Sequence, residues 1–132
     1  MPRVLIADDY APLRDALKTV LFSRRSWVIC GEAADGAQAV DMASALKPDL
    51  VLLDFLMPKI NGLQAAEQIL RTHPTVPIVL YTLHKHQLLE SKAKALGVRR
   101  VIAKGDIFCE LIASLEELFG PALSPVGPRE NI

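Results

Sequence analysis

Leu50-Val51-Leu52-Leu53-Asp54 sets four apolar residues end to end and closes them on a carboxylate. A strand with one wet face alternates apolar and polar residues, so an unbroken run of this kind reads as a strand covered on both faces. Four more such runs flank it: Val4 to Ala7, Trp27 to Cys30, Ile78 to Tyr81, and Val101 to Ala103. Helical spacing fills the intervals. Leu13, Ala16, Leu17, Val20 and Leu21 fall on one helical stripe, with Pro12 suited to the first turn. Val40, Ala43 and Leu46 mark a second helix closed by Pro48, and Leu63, Ala66, Ile69 and Leu70 a third closed before Pro74. A fourth, from about Lys85 to Leu96 and ended by Gly97, is more polar and is expected to be exposed and comparatively mobile. The fifth carries the stripe Phe108, Leu111, Ile112, Leu115 and Phe119, with Asp106 placed to cap its start. Strand and helix alternating five times predict an α/β fold, a doubly wound parallel sheet with helices on both faces.

The chain has 132 residues, enough for one domain with a sizeable core. We expect that domain to span residues 1–120, and the segment 121–132, with Pro121, Pro125 and Pro128, to be a disordered tail. Fifteen basic residues balance fifteen acidic ones, which argues against nucleic-acid or anionic-membrane binding by bulk charge. No apolar run approaches the roughly 20 residues of a membrane span, and residues Met1 to Arg3 lead into the first strand without a signal-peptide pattern. Cys30 and Cys109 are too few for a disulfide framework and are expected to be buried small hydrophobes. These features predict a cytoplasmic protein.

Chemistry gathers at the strand ends. Asp8 and Asp9 follow the first strand, Asp54 ends the third, Thr82 the fourth and Lys104 the fifth. Open parallel sheets bind ligands outside the carboxyl ends of their strands, so these side chains should converge. Three crowded carboxylates want a cation, and an all-oxygen set favours Mg²⁺. With a lysine and a hydroxyl opposite, the set can clamp a transferring phosphoryl group, and a carboxylate can itself be the nucleophile.

The run Asp54-Phe55-Leu56-Met57-Pro58-Lys59-Ile60-Asn61-Gly62, with Asp8-Asp9, Thr82 and Lys104 in order, resembles the response-regulator receiver domain of two-component signalling, over about residues 3 to 119. The resemblance implies the strand order 2-1-3-4-5, a property of that family. It implies Asp54 as phosphoacceptor from a phosphohistidine on a sensor histidine kinase or phosphotransfer protein. It implies Mg²⁺ held by Asp9, Asp54 and the backbone carbonyl of Leu56, with Asp8 acting mainly through water. Lys104 would pair with the carboxylate and then with the phosphoryl oxygens, and Thr82 would swing in to bond them. On this reading the chain is a signalling phosphoacceptor and not an enzyme, assisting only its own phosphorylation and autodephosphorylation and acting on a downstream protein or output domain.

Three positions depart from the pattern. Leu83 stands where a small residue usually follows the switch hydroxyl, and could slow access to Asp54. Val101 replaces the usual Tyr or Phe, so an aromatic rotamer switch cannot operate. Gly105 follows Lys104 in place of proline, which favours a trans peptide there. His84 is a candidate for tuning the lifetime of the phosphorylated state, while metal binding by His84 and His86 is not expected in a segment turning helical.

Other functions fit less well. A haloacid-dehalogenase-like phosphatase needs a second acid two residues after the nucleophile, where this chain has Leu56. A nucleotide or flavin module needs a glycine-rich phosphate loop, which the sequence lacks. The alternative retained is a receiver-like binding module working through protein contacts with little or no phosphorylation. The charges of Asp106, Glu110, Glu116 and Glu117 against Lys92, Lys94, Arg99 and Arg100 admit a weak phosphorylation-dependent homodimer. Trp27 is expected to pack at the end of the sheet away from the mouth. The sequence after Lys104 is similar to receivers that precede LuxR-type DNA-binding domains, yet no helix-turn-helix fits the residues after Gly120.

Overall fold

The computed structural model describes residues 2–25 and 27–120, so the expected tail lies outside the described residues. Five parallel strands, β1 (Arg3–Ala7), β2 (Val28–Ala33), β3 (Leu50–Asp54), β4 (Ile78–Thr82) and β5 (Arg100–Ala103), form one sheet in the order β2-β1-β3-β4-β5. Helices α1 (Ala11–Arg25), α2 (Gly36–Leu46), α3 (Gly62–Thr72), α4 (Gln87–Leu96) and α5 (Ile107–Phe119) connect and follow them. The expected fold class, strand order and helix count are those observed.

Side chains alternate across the sheet; the central strands β1, β3 and β4 are buried on both faces, while the edge strands β2 and β5 are partly exposed. Val4, Ile6, Leu50, Leu52, Val79, Tyr81 and Ile102 face Leu17 and Leu21 of α1 and Ile107, Leu111 and Leu115 of α5. Leu5, Ala7, Val51, Leu53, Ile78 and Leu80 face the small residues Ala39, Ala43, Ala65 and Ala66 of α2 and α3, with Leu89 and Ala93 of α4. Two buried faces explain the unbroken apolar runs of β1, β3 and β4, since each of these strands must satisfy both.

Several local expectations are corrected. β2 begins one residue after Trp27 and runs on through Gly31, Glu32 and Ala33. At Gly31 a Cβ would stand 2.6 Å from Leu46 Cδ1, so a larger residue there requires that side-chain end to shift. Helix α5 buries Ile107, Leu111, Ser114 and Leu115, so its inner face lies about one residue N-terminal to the expected stripe. Phe108 and Phe119 are left about 40% and 39% exposed. Ser114 tolerates burial because its hydroxyl donates to the Glu110 carbonyl at 2.7 Å.

Asp106 stands before α5 but makes no side-chain cap bond. A 3₁₀ turn over Lys104–Asp106 supplies the entry instead, with the Ile107 N–H donating to the Lys104 carbonyl. Cys109 is exposed and Cys30 half-buried, so neither is a fully buried hydrophobe. Cys109 lies two residues, about 200° of helix, from Leu111 and so faces away from the core. Trp27 is buried as expected and meets Phe119 edge-on, ring centroids 4.9 Å apart. Helix α4 is capped by His86, whose Nδ1 accepts from the Leu89 N–H at 3.3 Å, and closes at Gly97 with φ of 106°.

Candidate functional site

The same alternation that builds the core delivers the site. Continuing the Val4, Ile6 row of β1 reaches Asp8, continuing Leu50 and Leu52 reaches Asp54, and continuing Ile102 reaches Lys104. All three leave the sheet on one side at its carboxyl edge, where β1 lies beside β3. Local chemistry fixes Asp54 further. The Phe55 N–H donates to the Tyr81 carbonyl at 2.8 Å and the Gly62 N–H to the Phe55 carbonyl at 2.7 Å, folding the loop back on β3. A Cβ on Gly62 would lie 2.3 Å from the Asp54 carbonyl oxygen, so only glycine lets α3 start this close. Asn61 and Gln64 then cap α3 reciprocally.

Asp8, Asp9 and Asp54 each present a carboxylate oxygen within 4.8 Å of the others. Asp8 and Asp54 are buried while Asp9 is exposed. Lys104 Nζ stands 3.1 Å from Asp54 Oδ2 and 3.8 Å from Asp8 Oδ2. Burial pushes the Asp54 carboxyl up to about 6, reinforced by the Asp8 charge and opposed by Lys104 and the Leu56 N–H. The residues fit a small hard cation: three carboxylates of like charge in one mouth, oxygen donors only, and one of them open to solvent.

Asp8 is held from several sides. Its Oδ1 accepts from the Tyr10 N–H at 2.8 Å, and its Oδ2 from the Tyr81 hydroxyl at 2.9 Å. The Asp8 N–H donates to the Ala33 carbonyl at 2.9 Å. Arg14 donates to the Asp8 carbonyl and pairs with Glu32 at 2.9 Å, and Lys18 pairs with the same Glu32 at 2.8 Å. Bonds from Lys18 and Arg14 hold the Glu32 carboxyl below its ordinary value. Burial, and then the Asp8 charge, raise the Tyr81 phenol well above its usual range.

Sequence reasoning names neither Tyr81 nor the Arg14–Glu32–Lys18 set as part of the site. A signal for Tyr81 exists, because a phenol inside an apolar strand must find a hydrogen-bond partner when buried.

Of the remaining predicted residues, Thr82 ends β4, Leu83, His84 and His86 follow it, and Val101 lies within β5. Thr82 is buried at the end of β4, on the opposite row to Tyr81, and its Oγ1 accepts from the His84 N–H at 3.4 Å instead of bonding the carboxylates. Leu83 is 64% exposed and Leu56 62%, so two apolar side chains stand free at the rim. His84 and His86 are exposed. The Lys104–Gly105 peptide is trans. Val101 is half-buried and borders a groove of about 690 Å³ beside Lys94, Arg100 and Glu117. Arg100 pairs with Glu117 within the chain, so that charge complementarity is met internally.

The chain is similar to known proteins in sequence and in fold. The family described as response regulator receiver domain matches residues 4–116. Protein CcdB of Bacillus subtilis (strain 168) is 38% identical over 104 residues, covering 79% of this chain and 86% of CcdB. The transcriptional regulatory protein YdfI of the same organism is 36% identical over 104 residues, covering 79% of this chain and 48% of YdfI. The chain thus spans about half the length of YdfI. The crystal structure of the response regulator domain of Thermotoga maritima CheB is similar with a TM-score of 0.80 at 28% identity, covering 89% of this chain and 95% of that one. Among the described residues, no helix is long and apolar enough to cross a membrane.

Proposed function

This chain belongs to the response regulator receiver domain family, and on that premise we propose that it is a phosphorylatable switch in which Asp54 accepts a phosphoryl group with Mg²⁺ bound beside it. The observation that carries the reading is the single mouth shared by Asp8, Asp9, Asp54 and Lys104. An Asp54 oxygen attacks phosphorus, the P–N bond of a donor phosphohistidine breaks, and its electron pair returns to the imidazole. Asp9, Asp54 and the Leu56 carbonyl are assigned to Mg²⁺ directly, and Asp8 through water. The ion supplies charge neutralisation for the phosphoryl oxygens.

Lys104 exchanges its Asp54 partner for a phosphoryl oxygen as the carboxylate becomes an acyl phosphate. The Thr82 hydroxyl turns from its local bond with His84 to donate to another. Leu83 limits entry to the mouth, and His84 tunes the lifetime of the acyl phosphate. These contacts exist only after phosphorylation, so they bias the loop from Thr82 to His86. Shifting a two-state loop from 1:99 to 99:1 takes about 5.5 kcal/mol, within reach of two or three charge-assisted bonds. With Val101 in place of an aromatic ring, the signal runs through that loop. The donors are a sensor histidine kinase or a phosphotransfer protein, the receiver of the signal is a downstream protein or output domain, and the compartment is the cytoplasm. A weak homodimer through α4, β5 and α5 is the assembly we assign to the phosphorylated state.

Incubation with Mg²⁺ and a small acyl-phosphate donor, followed by intact mass measurement, tests this. One added phosphoryl group, absent without Mg²⁺, is expected. The exposed Leu83 and the groove beside Val101 favour a second reading, a receiver-like module acting through protein contacts. No mass gain supports that second reading.

A further inference from the structure

Tyr81 is fully buried in the last-but-one position of β4, its ring among the side chains facing α1 and α5. Phenylalanine would fill the same space, so the hydroxyl contributes something beyond volume. It donates to Asp8 Oδ2 at 2.9 Å, while the Tyr10 N–H takes Oδ1 at 2.8 Å. Both Asp8 oxygens are thereby held by donors from different segments, and Asp8 has no exposed surface. The competitor stands close by: Lys104 Nζ is 3.8 Å from that same Oδ2 and 5.8 Å from the Tyr81 ring centroid.

We propose that Tyr81 is a positioning residue for the cation, its hydroxyl fixing the Asp8 carboxylate so that Lys104 stays with Asp54. The inference rests on the Mg²⁺ reading of the acids. Without the hydroxyl, Asp8 Oδ2 is free to turn to the ammonium, which draws the carboxylate out of the position from which it reaches the ion through water. The bond also ties the acid cluster to the strand carrying Thr82, because Tyr81 is its immediate neighbour. Removing the outer hydrogen-bond partners of a metal site commonly costs about 10–100-fold in affinity, and the low end applies here because Asp8 meets the ion through water.

Mg²⁺ titration by calorimetry on the wild type and Tyr81→Phe tests the claim, with circular dichroism confirming the fold of each. The expected result is an affinity about tenfold weaker in Tyr81→Phe. A second measurement uses Tyr10→Phe, which leaves Tyr81 as the sole tyrosine. Mg²⁺ should produce a near-ultraviolet tyrosine difference band there, which a purely space-filling ring would not give. Equal Mg²⁺ affinity in wild type and Tyr81→Phe overturns the inference while leaving the Mg²⁺ reading intact, and so does the absence of the band. A wild type that binds no Mg²⁺ overturns both.

Discussion

Lys104 Nζ and Asp54 Oδ2 lie 3.1 Å apart although 50 residues separate them along the chain. The lysine enters from β5 and the acid from β3, with β4 between them in the sheet. The ammonium thus offsets part of the cost of a buried carboxylate before any phosphoryl group arrives. Removing it, as in Lys104→Ala, takes away the donor expected to meet the phosphoryl oxygens. Phosphorylation by a small acyl phosphate should slow by about a hundredfold, in the range for loss of one preorganised donor. Stopped time courses of intact mass measure this, and an unchanged rate would remove Lys104 from the chemistry.

The Asp54 carboxyl, pushed up to about 6 from an ordinary 3.8, makes stability depend on pH. Between those values the folded chain binds more protons than the unfolded one, so stability falls as pH rises through the window. Above it, the folded state carries the full cost of the buried charge. In the presence of a chelator, Asp54→Asn should therefore exceed the parent in stability by about 1–3 kcal/mol near neutral pH, with the gap closing towards pH 4. Urea unfolding at several pH values reads this directly. A gap that stays constant with pH would assign the effect to something other than the charge.

Leu83 stands 64% exposed beside Thr82 and so does not support the core; on the proposed reading its bulk limits entry to the mouth. Leu83→Ala should raise the rates of phosphorylation and of hydrolysis together, by several-fold, while changing stability within about 0.5 kcal/mol. Thermal melts and decay of the phosphorylated mass check the two halves. A large loss of stability would show that Leu83 packs in a way its exposure does not indicate.

Trp27 is buried against Phe119 before the amino end of β2, across the sheet from the strand ends that carry the acids. Its emission should stay constant as Mg²⁺ is added, whereas Phe119→Ala should shift it to longer wavelength by admitting water. Strong quenching by Mg²⁺ would contradict the placement of the site at the opposite edge.

What is legible in the sequence follows from period and position. Leu50 to Asp54 reads as a doubly covered strand ending on a charge, and strand ends in such a sheet converge, so Asp8, Asp9, Asp54 and Lys104 gather on sequence grounds alone. Thr82 emerges on the same ground, yet its row in β4 turns it from the acids towards His84, a distinction that only strand parity reveals. The apolar stripe puts the inner face of α5 about one residue off, because it counts Phe108 and Phe119, which stay about 40% and 39% exposed, and passes over Ile107 and Ser114, which are buried. The apolar run of β2 stops at Cys30 because Gly31 and Glu32 interrupt it, although Arg14 and Lys18 pair with Glu32 from α1. That pairing joins residues far apart in sequence, as does the Tyr81–Asp8 bond, and no local spacing encodes either.

Reductive trapping tests the phosphoacceptor assignment most directly. An aspartyl phosphate treated with borohydride becomes homoserine, and peptide mass spectrometry then locates it. After incubation with Mg²⁺ and an acyl-phosphate donor, homoserine is predicted at position 54, with positions 8 and 9 unmodified and no conversion in the chelated control. Conversion at either of the paired acids, or none at position 54 when Mg²⁺ is present, would contradict the assignment of Asp54 as the phosphoacceptor.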